Sequence, residues 1–171
     1  LLVDVSGSQH FGTHEQFKDE LIAEICATLS ISAIRNNDKV GLICFSDRIE
    51  AYIPPRKGSK HVLRVIRELL ALEPESRGTD LASALEFLGK VQKKRSIVFL
   101  VSDMQDRNWQ KQLQIANRRH DVVVVSTEDS AESKLPEVGL MRIEDPETGK
   151  SRVIDTSSTR VRKAWQQLAE E

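Results

Sequence analysis

Cysteine and aromatic residues are scarce in this chain of 171 residues, which has two cysteines, two tryptophans, one tyrosine and five phenylalanines. Two thiols are too few for a disulfide framework or a cysteine-rich zinc site. Cys26 falls in a helix-like stretch and Cys44 in an apolar strand-like one, with no motif spacing between them. Both therefore read as small core residues of a protein in a reducing compartment. Neither sign of charge predominates: 25 basic and 26 acidic side chains leave a net charge of −1. That balance removes nucleic acid and anionic membrane as default partners. No apolar run approaches the roughly 20 residues that span a bilayer, and no signal peptide is recognisable.

The first residues, Leu1-Leu2-Val3-Asp4-Val5, lack an initiator Met and read as a buried strand already under way. The expectation is one domain over residues 1–171, taken from a longer protein. Phe17, Leu21, Ile25 and Leu29 then recur every fourth position, with Ile22 and Cys26 widening the stripe, which predicts an amphipathic helix. Val40 to Phe45 suits a central strand, and Ser46-Asp47-Arg48 turns it into a second one that Pro54-Pro55 is expected to stop.

Two helical patterns follow, one on Val62, Val65, Ile66, Leu69 and Leu72, the other on Leu81, Ala84, Leu85, Leu88 and Val91. Next come a strand from Ser96 to Val101, a helix with Trp109, Leu113 and Ala116, and a strand over Val122 to Val125. Near the end, Leu140–Ile143 and Arg152–Ile154 flank the hairpin-forming residues Asp145 to Gly149, and a last helix carries Val161, Ala164, Trp165 and Leu168. This alternation predicts an α/β fold: a doubly wound, mainly parallel sheet with helices on both faces and an antiparallel edge hairpin.

Two of the predicted strands end in polar clusters led by aspartate, Asp4-Val5-Ser6-Gly7-Ser8 and Ser102-Asp103. In an open parallel sheet the C-terminal ends of the strands line one crevice, where ligands bind. Gly78-Thr79-Asp80 precedes the third helix, so the Thr79 hydroxyl can reach the same edge. Carboxylates with hydroxyls are hard oxygen donors that suit Mg²⁺ or Mn²⁺ better than zinc. With only two carboxylates, Asp4 and Asp103, such an ion keeps an open position for an acidic side chain from a partner.

Asp4, Ser6, Ser8, Thr79 and Asp103 match in order the metal-ion-dependent adhesion site that von Willebrand factor A domains carry, Asp-x-Ser-x-Ser with a distant Thr and a distant Asp. Beyond these five, Asp38 to Leu42, Pro54 to Gly58, Gly78 to Leu81, Val101 to Asp103, His120 to Val122 and Asp145 to Gly149 resemble the bacterial domain of unknown function 58 family. Gln9 stands where many relatives have Met, outside the ligand set. The resemblance implies a metal-dependent protein-interaction module and a partnership with a MoxR-type AAA ATPase or its client. It also implies a cytoplasmic site of action, with any tether to the inner membrane supplied by segments outside this chain.

Simpler roles compete for several residues. Asp4 to Ser8 alone reads as an ordinary strand-to-helix turn, Thr79 or Asp80 as an N-cap for the helix from Leu81, and Asp103 or Asp106 as one for the helix holding Trp109. His10 and His14 lie four apart without a third zinc ligand. Arg56, Lys57, Lys60, Arg64 and Arg67 form a basic stretch with no aromatic platform beside it, which reads as a solvated helix face. Trp109 and Trp165 read as anchors against the sheet. The alternatives to a binding module are a metal-assisted phosphohydrolase and a structural domain with a vestigial site. The first is the weaker, because Ser6 stands where such an enzyme needs a second carboxylate and no phosphate loop or nucleophile elbow is present.

Overall fold

The computed structural model describes residues 1–7, 15–106, 108–127, 135–144 and 150–169, with the side chains of 15–19, 144 and 167–169 outside that description. Its elements in order are β1 (Leu2–Asp4), α1 (Glu15–Arg35), β2 (Val40–Phe45), β3 (Ile49–Arg56), α2 (Ser59–Ala71) and α3 (Leu81–Val91). They are followed by β4 (Ile97–Ser102), α4 (Gln110–Arg119), β5 (Asp121–Ser126), β6 (Leu140–Glu144), β7 (Ser151–Asp155) and α5 (Thr159–Ala169).

Five strands form one sheet in the order β3-β2-β1-β4-β5. The pairings β1–β2, β1–β4 and β4–β5 are parallel, and β3 closes one edge antiparallel to β2. Successive strand residues point to opposite faces, so neighbours in β1 enter different cores. Leu2 packs with Ile43, Phe45, Leu100 and the α3 residues Leu81, Leu85 and Leu88. Val3 packs with Leu42, Cys44, Val101 and the helical residues Ile22, Cys26, Val62 and Val65. Helices thus cover both faces, α1 and α2 on one and α3 and α4 on the other, as the alternation of elements predicts. Central strands buried on both faces must be apolar without interruption, which is why β2 reads Val-Gly-Leu-Ile-Cys-Phe.

Two details differ from the expectation. The buried stripe of α1 is Ile22, Cys26 and Ser30, while Leu21 is 50% exposed. Apolar residues occupy most of the circumference of this helix, so periodicity alone cannot choose its inward line. Second, β3 runs through Pro54 and Pro55 instead of stopping before them. The register advances from Leu42↔Ile53 to Val40↔Arg56, three residues on β3 against two on β2. A bulged edge strand tolerates prolines because their missing N–H groups are not needed for a second neighbour. Gly41 faces this bulge, and a Cβ there would lie 2.9 Å from Pro55 Cγ.

The β6–β7 hairpin forms its own two-stranded sheet. Its base is held by buried Thr156, whose N–H and hydroxyl both donate to the Gly139 carbonyl at 2.8 Å. Trp109 packs partly buried against the α3 side of the core, as expected of an anchor, and Trp165 is partly buried.

Candidate functional site

The chain leaves β1 toward β2 on one side and later returns to place β4 on the other. The C-terminal end of β1 is therefore a topological switch point, where the connections diverge and open a crevice. Asp4 ends β1 there, Ser102 ends β4, and Asp103 follows it directly.

Asp4 is 1% exposed. Its Oδ1 accepts the Ser6 N–H at 2.9 Å, and its Oδ2 accepts the Ser102 hydroxyl at 2.7 Å. Burial pushes this carboxyl up to about 6, and the neighbouring Asp103 charge pushes in the same direction, against the hydrogen bonds from Ser102 and Ser6. Asp103 is 7% exposed, and its Oδ1 accepts the Gln105 N–H at 3.1 Å. Ser102 Oγ accepts the Met104 N–H at 3.0 Å as it donates to Asp4. The turn after β4 is tight: Met104 has φ 60°, a left-handed conformation that costs a non-glycine residue energy.

Thr79 is partly buried in the segment between α2 and α3. That segment is tied to the ends of three strands. Gly7 N–H, after β1, donates to the Arg77 carbonyl at 2.8 Å, and Asp80 N–H donates to the carbonyl of Ser46, after β2, at 2.9 Å. Leu81 N–H donates to Asp106 Oδ2, after β4, at 2.8 Å. Four of the five sequence-derived residues, Asp4, Ser6, Thr79 and Asp103, thus lie on segments that meet at this edge. Ser8, His10 and His14 lie outside the described residues.

The capping roles separate cleanly. Asp80 is the N-cap of α3, accepting the Ser83 N–H at 2.8 Å and the Ser83 hydroxyl at 2.7 Å. Asp106 serves the first residue of α3 instead of capping α4, whose N-cap position is Trp109. Neither Thr79 nor Asp103 occupies an N-cap position of these two helices.

Sequence reasoning missed Glu50. Its carboxylate accepts the Ser46 hydroxyl at 2.5 Å and the backbone N–H groups of Glu75 and Ser76 at 3.1 and 3.2 Å. It thereby clamps the middle of the segment that carries Thr79 onto the β2–β3 turn. Burial pushes the Glu50 carboxyl up, but the three hydrogen bonds and Arg48 outweigh it and leave it below its ordinary value. An isolated acid in a strand carries no signal for this role, because its partners are backbone amides about 25 positions away.

Among the described residues no three His, Cys, Asp or Glu side chains gather as a metal-binding group. The crevice presents two carboxyls with hydroxyls instead. The family profile described as "Protein of unknown function DUF58" matches residues 1–171. The chain belongs to the DUF58 family. Uncharacterized protein Rv1480 of Mycobacterium tuberculosis is 26% identical over 152 residues, covering 87% of this chain and 48% of that protein. Uncharacterized protein MAV169 of Mycobacterium avium is 30% identical over 105 residues, 58% of this chain and 61% of that one. The chain thus spans about half the length of the first of these curated relatives. The crystal structure of conserved hypothetical protein BatB from Bacteroides thetaiotaomicron matches with a TM-score of 0.59 at 17% identity, over 96% of this chain and 80% of that one. At that identity the likeness concerns the fold. Among the described residues of this DUF58 chain, no helix is long and apolar enough to cross a membrane.

Proposed function

We propose that this DUF58 chain is a von Willebrand factor A-type, metal-dependent protein-binding module and not an enzyme. Asp4, Ser6, Ser8, Thr79 and Asp103 would hold one Mg²⁺ or Mn²⁺ ion, and an Asp or Glu from a protein partner would complete its coordination. The observation that carries this reading is the pair Asp4 and Asp103, two buried carboxyls at the C-terminal ends of the neighbouring parallel strands β1 and β4. Carboxyls buried side by side favour a counter-charge, and a divalent cation supplies one that binds through those same oxygens. The donors fit that ion: they are hard oxygens, with no thiol or imidazole among them.

When bound, the ion would supply an electrophilic position for an incoming carboxylate. The remaining work belongs to the chain itself. Ser102 and the Ser6 N–H fix both oxygens of Asp4. The Gly7–Arg77 bond keeps the segment of Thr79 beside the loop of Ser6. The family resemblance makes a MoxR-type AAA ATPase, or its client, the proposed partner.

Calorimetry with Mg²⁺ and Mn²⁺ on the native chain and on a Ser6→Ala/Ser8→Ala variant tests the site. Saturable heat is expected from the native chain alone, and equal heats from both proteins would remove the metal from the reading. Capture of the ATPase or its client should weaken with a chelator or with Asp103→Ala. Capture unaffected by either would sink the proposed mechanism and leave the fold intact.

A further inference from the structure

The exposed face of α2 carries Lys60, Leu63, Arg64, Arg67 and Leu70, at the i, i+3, i+4, i+7 and i+10 positions that align along one side of a helix. Val62 and Val65 on the opposite side are each 1% exposed, so the helix cannot roll to hide this face. Leu63 is 64% exposed and Leu70 66%. None of the three cations has an ion-pair partner among the described residues. A merely solvated face would not need one leucine among its cations and a second just beyond them, and both leave apolar surface that a partner could remove from water.

The face has a direction. Lys60, Leu63, Arg64 and Arg67 line one shallow depression. Leu70 then lines a cleft of about 220 Å³ whose wall includes Ile22, Ala23, Val5 and Asp4. Leu70 therefore joins the basic face to a cleft that Asp4 borders at the end of β1. At 1.5 Å per residue, Lys60 to Leu70 measures about 15 Å. A three-turn helix, or about five extended residues, covers that length.

We propose that this face of α2 is a docking track for an acidic, leucine-bearing protein segment that runs toward Asp4 and delivers its carboxylate to the crevice. The destination rests on the metal-dependent reading above, while the track rests on α2 alone. Charge complementarity selects an acidic segment, and the leucines select apolar side chains within it. The track ends in a concave cleft bordered by Asp4 and Glu20. A flat anionic bilayer cannot follow that concavity. Nucleic acid has no aromatic platform here on which to stack.

The test is fluorescence anisotropy with a labelled synthetic peptide, Glu-Glu-Leu-Glu-Glu-Leu-Leu-Glu-Asp, in Mg²⁺ and in EDTA. The comparison is among the native chain, Arg64→Glu/Arg67→Glu, Leu63→Ser and the control Lys93→Glu/Lys94→Glu, each first checked for an unchanged melting curve. Binding should be saturable, at least tenfold weaker with the Arg64/Arg67 reversal, at least threefold weaker with Leu63→Ser, and unchanged with the control. Equal losses from the α2 reversal and from the control would overturn the track, because the attraction would then be only general charge. Sensitivity to EDTA without sensitivity to the reversal keeps the metal reading and overturns the track. The converse keeps the track and removes the metal from it. Binding to phosphatidylserine vesicles, with none to the peptide, would overturn a protein occupant.

Discussion

The hydroxyl of Ser102 donates to Oδ2 of Asp4 at 2.7 Å, joining two buried residues 98 positions apart. The bond exists because β4 pairs in parallel with β1, Val3 opposite Val101, so that both strands end side by side. It opposes the burial that pushes Asp4 up to about 6. Ser102→Ala should therefore move the Asp4 titration to higher pH in a carboxyl carbon NMR experiment. It should also cost about 1–3 kcal/mol in urea unfolding, because a buried acceptor loses its donor. An unchanged Asp4 titration would show that the hydroxyl does not restrain this carboxyl.

Glu50 should make stability depend on pH in a defined sense. Its folded-state value lies below its ordinary one, so its contribution is present above the ordinary glutamate range and lost as pH falls through the lower folded value. The gap in unfolding free energy between the native chain and Glu50→Gln should be about 1 kcal/mol at pH 7. It should shrink as pH falls through the ordinary glutamate range and close below the lower folded value. A gap of constant size across that range would contradict the clamp.

Gly41→Ala should destabilise by about 1–3 kcal/mol. The added Cβ would meet Pro55 Cγ at 2.9 Å and the Ile53 carbonyl oxygen at 3.0 Å, and neither is the free end of a flexible side chain. Gly89→Ala, with open space around its Cβ, is the control and should not lose stability. Chemical denaturation of the two variants checks this directly.

Burial raises the thiol of Cys26 to about 11 and that of Cys44 to about 12, and both are free. The thiolate is the reactive form, so a thiol reagent at neutral pH should label the folded chain only at the rate at which the structure opens. Addition of urea should release both cysteines together. Rapid labelling of either one without denaturant would contradict its position in the core.

Much of the fold was legible because burial repeats with the period of each element. The apolar runs Val40–Phe45 and Ile97–Val101 mark central strands, and the α3 stripe of Leu81, Ala84, Leu85 and Leu88 marks its own inward face. Where apolar residues surround an element, as in α1, the pattern loses its phase, and packing selected Ile22 and Cys26 over Leu21. The prolines of β3 misled for a related reason. A proline stops a strand only where its N–H is required, and the sequence does not say which strand is an edge.

The candidate site divides in the same way. Residue type and order marked Asp4, Ser6, Thr79 and Asp103 as oxygen donors on strand ends and a helix-leading loop, because side-chain chemistry is local. Their convergence was decided by pairing: β1 lies between β2 and β4, and the Gly7–Arg77 and Asp80–Ser46 bonds draw the Thr79 segment to that edge. Glu50 belongs wholly to the tertiary structure, since backbone amides carry no side-chain identity and a carboxylate that binds them leaves no mark in the sequence. The link from Leu70 to Asp4 is of the same kind, for a cleft between segments exists only once they are packed.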